Sequence, residues 1–347
     1  MLNINDKDKI LIVRLTALGD CIHTIPLACA IKKQYPNIFI GWAVSEKCKD
    51  IIINNPIIDK VHLIPKNNKK AYNSVIREIK DENYTVSIDS QELLKSAWVS
   101  FLSGAKYKLA HDKSREFSHF FANKKLQAIP LFDNSRHVIE RNLDFARFLG
   151  INNPIVDFVL PETTQEDLKY VENLLKSTDM TKPTVTIAPA TTWVTKYWKK
   201  EYWAEVLNFL NDKVNIIFTG SQADKNYVKE IIELTKNVNC IDLTGQTNIL
   251  QLKTLFEKSD IVITPDSGSA HLAAVTKKPI VITLFGATSN IRNGAFGEKH
   301  FNLTANLQCQ PCNKKVCKYT KSVPECIKAL KPQLVIEKLQ SILKNEI

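Results

Sequence analysis

Residues 261–274, Ile-Val-Ile-Thr-Pro-Asp-Ser-Gly-Ser-Ala-His-Leu-Ala-Ala, do most to limit what this chain can become. Ile261 to Thr264 are β-branched and read as a buried parallel strand. Asp266-Ser267-Gly268 then makes a short polar turn, and the small and apolar residues from Ser269 to Val275 read as a helix pressed on the sheet. A strand entering a helix through such a turn leaves backbone N–H groups at the positive end of the helix dipole. That geometry suits a phosphate or diphosphate, although Asp266 or Ser267 acting only as a helix cap fits the same residues. Residues 279–286 follow at once as the next parallel strand.

Strand–helix alternation runs through the rest of the chain. Strands are expected over residues 10–14, 37–44, 59–65, 84–89 and 106–110, with a turn at 15–20, a helix from Asp20 to Tyr35 and another from Ser45 onward. An amphipathic helix over 137–149 closes this half. Residues 150–183 are less regular and hold the boundary, before a second series with strands at 184–188, 214–218 and 261–264. The expected fold class is α/β, with domains at 1–165 and 166–330 and a terminal helix over 331–347. Two such sheets leave a cleft, and ligands lie at the carboxyl ends of their strands.

At 347 residues the chain has room for two domains, and 24% charged residues suit a globular protein in water. No apolar run reaches the roughly 20 residues of a membrane span. The polar start, Asn3 to Lys9, is unlike a signal peptide, so a cytoplasmic location is expected. The net charge of +11 is spread over both halves and comes without any nucleic-acid-binding signature, which favours an anionic surface or substrate over nucleic acid. Cys21, Cys29, Cys48 and Cys240 read as buried thiols. Cys309, Cys312, Cys317 and Cys326 have C-x2-C-x4-C-x8-C spacing, compatible with a tetrahedral structural zinc or with reduced thiols.

Three polar loops follow strands: Gly19-Asp20, residues 189–198 with Thr191, Thr192 and Lys196, and Asp266-Ser267-Gly268. Asp20 and His23 share a helix face, as a base beside an orienting histidine or as a helix cap. His271 fits a ligand contact or a structural helix histidine equally. Arg136, His137 and Arg141 are cations for acceptor phosphates or one solvated helix face. No G-x-G-x-x-G follows the first strand, and no P-loop, H-E-x-x-H or G-x-S-x-G occurs. The pair Asp6 and Asp8 precedes the first strand, too early for a metal–diphosphate motif.

Together the loops carry a resemblance. Residues 14–26, Arg-Leu-Thr-Ala-Leu-Gly-Asp-Cys-Ile-His-Thr-Ile-Pro, resemble the N-terminal signature of the bacterial lipopolysaccharide heptosyltransferases, glycosyltransferase family 9. Residues 190–198 followed by Tyr202-Trp203 are similar to that family's nucleotide-phosphate loop. Residues 264–274 with 284–288 are similar to its D-[TS]-G-x-x-H-x-A-A donor motif. The resemblance implies GT-B architecture, two Rossmann-like domains facing across a cleft, with acceptor on the first and ADP-heptose on the second. It implies inverting transfer to the lipid A–core acceptor, Kdo–lipid A or the first core heptose, with no cofactor required and peripheral association with the inner membrane. Another nucleotide sugar as donor, or a binding protein without turnover, are the rival readings. Asp20 matches the general base, with Gly19, His23, Arg136 and Arg141 on the acceptor side. Thr191, Thr192, Lys196, Asp266, Ser267, Gly268 and His271 match donor contacts. Gln222 or Asp224 falls where relatives hold the adenosine ribose with an acidic residue.

Overall fold

The computed structural model describes residues 2–127 and 133–345. Their contacts divide the chain into two compact units, Met1–Glu162 and Thr163–Ile347. Each is a parallel sheet with helices packed on it, the fold class expected from the alternation.

The first unit holds strands β1 Lys9–Val13, β2 Phe39–Ser45, β3 Lys60–Ile64, β4 Val86–Asp89, β5 Tyr107–His111 and β6 Lys124–Leu126, in the order β3-β2-β1-β4-β5-β6. Its helices are α1 Leu18–Gln34, α2 Lys69–Asp81, α3 Leu94–Leu102 and α4 Val138–Phe148. Ile10, Leu11, Ile12 and Val13 are all fully buried, as a central strand covered on both faces requires. Each contributes roughly 1.5–3 kcal/mol of burial.

The second unit holds β7 Thr184–Ile187, β8 Asn215–Phe218, β9 Ile241–Asp242, β10 Ile261–Pro265, β11 Ile280–Phe285 and β12 Phe301–Thr304, in the order β12-β11-β10-β7-β8-β9. Its helices are α5 Gln165–Leu174, α6 Lys200–Leu210, α7 Lys225–Glu233, α8 Ile249–Lys258, α9 Gly268–Val275, α10 Asn290–Asn293, α11 Glu325–Ala329 and α12 Pro332–Asn345. Along α12, Val335, Leu339 and Ile342 enter this unit's core. Residues 346–347 of the expected terminal helix lie outside the described residues.

Both units have the same topology. The chain runs outward from one central strand (β1, β7), then starts again beside it (β4, β10) and runs the other way. This is the switch point at which open α/β sheets take ligands, outside the carboxyl ends of the two central strands. In the first unit it gathers the loops after Val13 and Asp89, and in the second those after Ile187 and Pro265.

The differences from the sequence reading are local. The stretch after Ser45 is one short 3-10 segment, Glu46–Ile51, not a full helix. Helix α1 starts at Leu18, so Gly19 and Asp20 stand in its first turn and not ahead of it. Strands β6, β9 and β12 have no apolar run to announce them; each is a short edge strand paired on one side only.

Candidate active site

In the first unit the switch point is built around Arg14, which follows β1 and is nearly buried. One guanidinium nitrogen donates to the Ser90 carbonyl, and Nη2 lies 3.0 Å from Asp20 Oδ1. Asp20 is the third residue of α1, where a carboxylate faces the positive helix end, and its Oδ2 accepts the Ala17 N–H at 3.2 Å. The side chain is still 45% exposed. Gln91 clamps the same loop from the β4 side. Its Oε1 accepts the N–H of Leu15 at 2.7 Å and of Thr16 at 3.3 Å, and its Nε2 donates to Thr16 Oγ1. The result is a held but accessible carboxylate at a strand end.

The other residues expected on this side are more enclosed. Gly19 is buried, and the buried His23 ring packs edge-on against His137 at 5.3 Å. The His23 carbonyl accepts from Asn142 Nδ2 at 2.8 Å, which ties α1 to α4. Arg141 is buried and reaches Glu92 Oε1 through Nη2 at 2.7 Å and Nε at 3.2 Å. His111 Nδ1 lies 2.6 Å from the same oxygen. Burial by itself would raise the Glu92 carboxyl, but His111 and Arg141 outweigh it and hold it below the usual range. Arg136 pairs with Asp144. Arg141 is buried and Arg136 half-buried, and each meets a carboxylate of its own unit.

Asp89 ends β4 beside Val13 of β1 and is 2% exposed. Its Oδ1 accepts the N–H groups of Gln91 and Glu92 at 3.1 Å each, while Oδ2 is buried with no partner. Burial, which outweighs these hydrogen bonds, pushes the pKa up from 3.8 to about 7. The folded carboxyl therefore keeps its proton to higher pH than the unfolded one. Its stabilisation is whole below pH 3.8 and is lost as pH rises through 7. Asp89→Asn keeps an acceptor for the two amides and removes the titration. Relative to the wild type, the variant gains stability between pH 4 and pH 8, by up to about 4 kcal/mol. Urea unfolding of both proteins at the two pH values measures this, and a difference that does not change with pH refutes it.

In the second unit the centre is Asp266, directly after β10 and buried. Its Oδ2 lies 2.6 Å from Lys196 Nζ and accepts the Thr288 hydroxyl; its Oδ1 is 3.8 Å from His271 Nε2. The Asp266 carbonyl takes longer contacts of 3.4 Å from Thr191 Oγ1 and Lys196 Nζ. Lys196 also sits over the Trp193 ring, 4.6 Å from its centre. Its loop is fastened on both sides: Thr195 Oγ1 donates to the Lys314 carbonyl at 2.8 Å, and buried Trp198 donates to the Leu330 carbonyl at 2.7 Å. A Cβ on Gly286 would come 2.5 Å from the Thr195 carbonyl oxygen, so this close approach needs glycine. Ser267 occupies the N-cap of α9 without capping it, and its hydroxyl meets Thr264 Oγ1 at 3.0 Å instead. Thr192 is exposed in the same loop as Lys196.

Beyond β8, Asp224 is taken up locally, accepting from the Ser221 amide at 2.8 Å and hydroxyl at 2.6 Å. Gln222 is exposed and lies over Gly245, where φ is +77° and a Cβ would meet its Oε1 at 2.3 Å. Of the two residues weighed for a ribose, Gln222 has the freer side chain.

The cysteine loop follows β12. Cys309 is exposed, Cys312 and Cys317 are half-buried, and Cys326 packs in the core with Ile327 and Leu330. Burial first, then the neighbouring thiols of Cys309, Cys312 and Cys317, push the Cys326 thiol up to about 11. Among the described residues no group of three or more His, Cys, Asp or Glu side chains is arranged to hold a metal ion. The four thiols share one neighbourhood, and Cys326 is its buried member.

Sequence reasoning missed Arg14, Gln91, Glu92 and Thr288. Arg14 lies inside the first motif, and a cation six residues before Asp20 was the available signal. Gln91 and Glu92 have none, because only the strand order puts β4 beside β1.

Comparison with known proteins adds to this geometry. A family model described as glycosyltransferase family 9 (heptosyltransferase) matches residues 72–323. Lipopolysaccharide heptosyltransferase 1 of Pseudomonas aeruginosa is 27% identical over 96% of this chain and 98% of its own. A family 9 glycosyl transferase structure from Veillonella parvula superposes with a TM-score of 0.85 at 18% identity, covering 99% of both chains. The structure of E. coli heptosyltransferase WaaC with ADP-2-deoxy-2-fluoro heptose gives 0.69 at 21% identity, over 96% of this chain and 99% of that one.

Proposed function

The chain belongs to glycosyltransferase family 9, the heptosyltransferases, and from that premise we propose that it moves L-glycero-D-manno-heptose from ADP-heptose to Kdo–lipid A in the lipopolysaccharide inner core. The donor is supported by the Lys196–Asp266 arrangement at the start of α9 and by the sugar nucleotide named for the E. coli structure. The acceptor is supported by the relative named heptosyltransferase 1. Lipid-linked acceptor implies work at the inner face of the inner membrane. Among the described residues no helix is long and apolar enough to cross a membrane, and peripheral association with that membrane is part of the proposal.

The observation that carries the chemistry is the half-exposed Asp20 carboxylate, fixed by Arg14 at the first switch point. An acceptor hydroxyl gives its proton to Asp20 as its oxygen bonds to the anomeric carbon. The bond from that carbon to the diphosphate breaks, and ADP leaves with the electron pair. Attack from the side opposite ADP inverts the anomeric centre. The leaving charge is met by Lys196, which Asp266 orients, and by the positive end of α9. Thr191, Thr192, Ser267, Gly268 and His271 surround the diphosphate, and Gln222 takes the ribose. Gly19, His23, Arg136 and Arg141 shape the acceptor side, the arginines from within their ion pairs.

Release of ADP tests the assignment when purified protein meets a panel of donors and acceptors. It is expected with ADP-heptose and Kdo–lipid A, and not with UDP- or GDP-sugars. Transfer only to an acceptor that already carries a heptose, or only from another nucleotide sugar, overturns the reading.

A further inference from the structure

The first unit carries an apolar face that its core does not use. Leu94, Trp98 and Phe101 along α3 are each nearly half exposed, and Phe117 and Phe120, in the 3-10 segment Arg115–Phe121, are 71% and 70% exposed. They form one patch. Trp98 stacks on Phe101 at 5.6 Å, both rings meet Phe121 at 5.8 Å, and Phe117 stacks on Phe120 at 6.3 Å. The Leu94 N–H donates to Glu116 Oε2 at 3.0 Å and joins the helix start to the segment. Glu116 and Phe117 have φ of +54° and +56°, a backbone region costly for a bulky residue. The chain accepts that cost where Phe117 stands out into solvent.

The rim is basic. Lys95, Lys113, Arg115 and Lys125 are exposed, and Lys125 Nζ lies 5.4 Å from the centre of the Phe120 ring. Glu116 is the one acidic residue between 113 and 125, and its carboxylate is engaged by Leu94. A contiguous exposed apolar patch marks a contact surface. Aromatic rings inside a ring of Lys and Arg fit an anionic bilayer: the rings enter the headgroup boundary and the cations meet lipid phosphates. A second copy of the chain fits poorly, since it would bring basic rim against basic rim. The patch is also continuous with the candidate acceptor side, because Lys95 Nζ reaches Thr16 Oγ1, in the loop before Asp20, at 3.4 Å.

We propose that this face of α3 and the segment after β5 docks the protein on an anionic lipid surface and so brings the Asp20 loop to a lipid-anchored acceptor. The docking deepens the heptosyltransferase reading and rests on it for the identity of the acceptor. The test uses the full chain and vesicles of phosphatidylcholine, alone or mixed with phosphatidylglycerol, without acceptor or sugar nucleotide. Binding to the mixed vesicles is expected, falling as salt rises. Arg115→Gln with Lys125→Gln should weaken it roughly 30-fold, at the usual worth of a basic side chain near such a surface. Phe117→Ser with Phe120→Ser should weaken it at least roughly tenfold, with an unchanged circular dichroism spectrum. Bromine-labelled lipid should quench wild-type fluorescence more than that of Trp98→Tyr. Absent binding, or variants that bind like the wild type, overturn the proposal. Self-association abolished by the same substitutions, without lipid binding, assigns the face to a second copy and also overturns it. Lipid binding that follows these expectations supports docking even where heptosyl transfer fails, so the two readings fail separately.

Discussion

Asp20→Asn protein is expected to fold, with a modest loss of stability because the nearly buried Arg14 loses its counter-ion, to bind ADP-heptose within a few-fold of the wild type, and to turn over roughly 10²–10⁴-fold more slowly. A sugar hydroxyl is a poor nucleophile while it keeps its proton. The carboxylate that removes it has to be fixed and yet open to substrate, which describes Asp20: Arg14 Nη2 at 3.0 Å, the Ala17 N–H at 3.2 Å, and a side chain still 45% exposed. Asparagine keeps the size and an oxygen for the Ala17 amide, so the first turn of α1 is retained while the base is lost. Donor affinity is the internal control, since the donor residues belong to the second unit. Turnover within a few-fold of wild type removes Asp20 from the chemistry. Loss of donor binding makes it a shaping residue.

The second large effect is at Lys196. Its ammonium and the Asp266 carboxylate are 12% and 5% exposed and lie 2.6 Å apart. Lys196→Ala therefore removes a donor contact and also strands a buried carboxylate, at a cost of about 3–5 kcal/mol in stability. A double variant separates the two consequences. In Lys196→Ala/Asp266→Asn the stranded charge is gone, so most of the stability should return, while donor affinity stays roughly 10- to 100-fold weaker than wild type. Chemical denaturation and calorimetry with ADP measure the two quantities on the same samples. If donor binding returns along with stability, Lys196 serves only to neutralise Asp266.

These two residues also show how far a sequence reaches. Asp20, Lys196 and Asp266 were legible because each follows a β-branched strand, and a polar residue there falls at a sheet's carboxyl edge whatever the strand order. The fold class was legible for the same reason: runs such as Ile10–Val13 and Ile261–Thr264 admit little except a central parallel strand. What lies around those residues was not legible. Gln91 and Glu92 reach the Asp20 loop and Arg141 only because β4 returns beside β1, and no local pattern records that return. Arg136 and Arg141 read as surface cations because their carboxylate partners, Asp144 and Glu92, are set by packing of α4. The cysteine spacing brought out one neighbourhood of four thiols, but not that Cys326 alone among them packs in the core. Edge strands such as Lys124–Leu126 stayed hidden because, with one neighbour, they need little apolar surface.

The proposed reaction is direct displacement of ADP from ADP-heptose by a Kdo–lipid A hydroxyl that gives its proton to Asp20. The most direct measurement is the product itself, isolated from purified enzyme with both substrates and examined by mass spectrometry and NMR. One heptose is expected per ADP released, with the anomeric configuration opposite to that of the donor. A product that retains the donor's configuration, or no heptosylated product from active-folded protein, contradicts it.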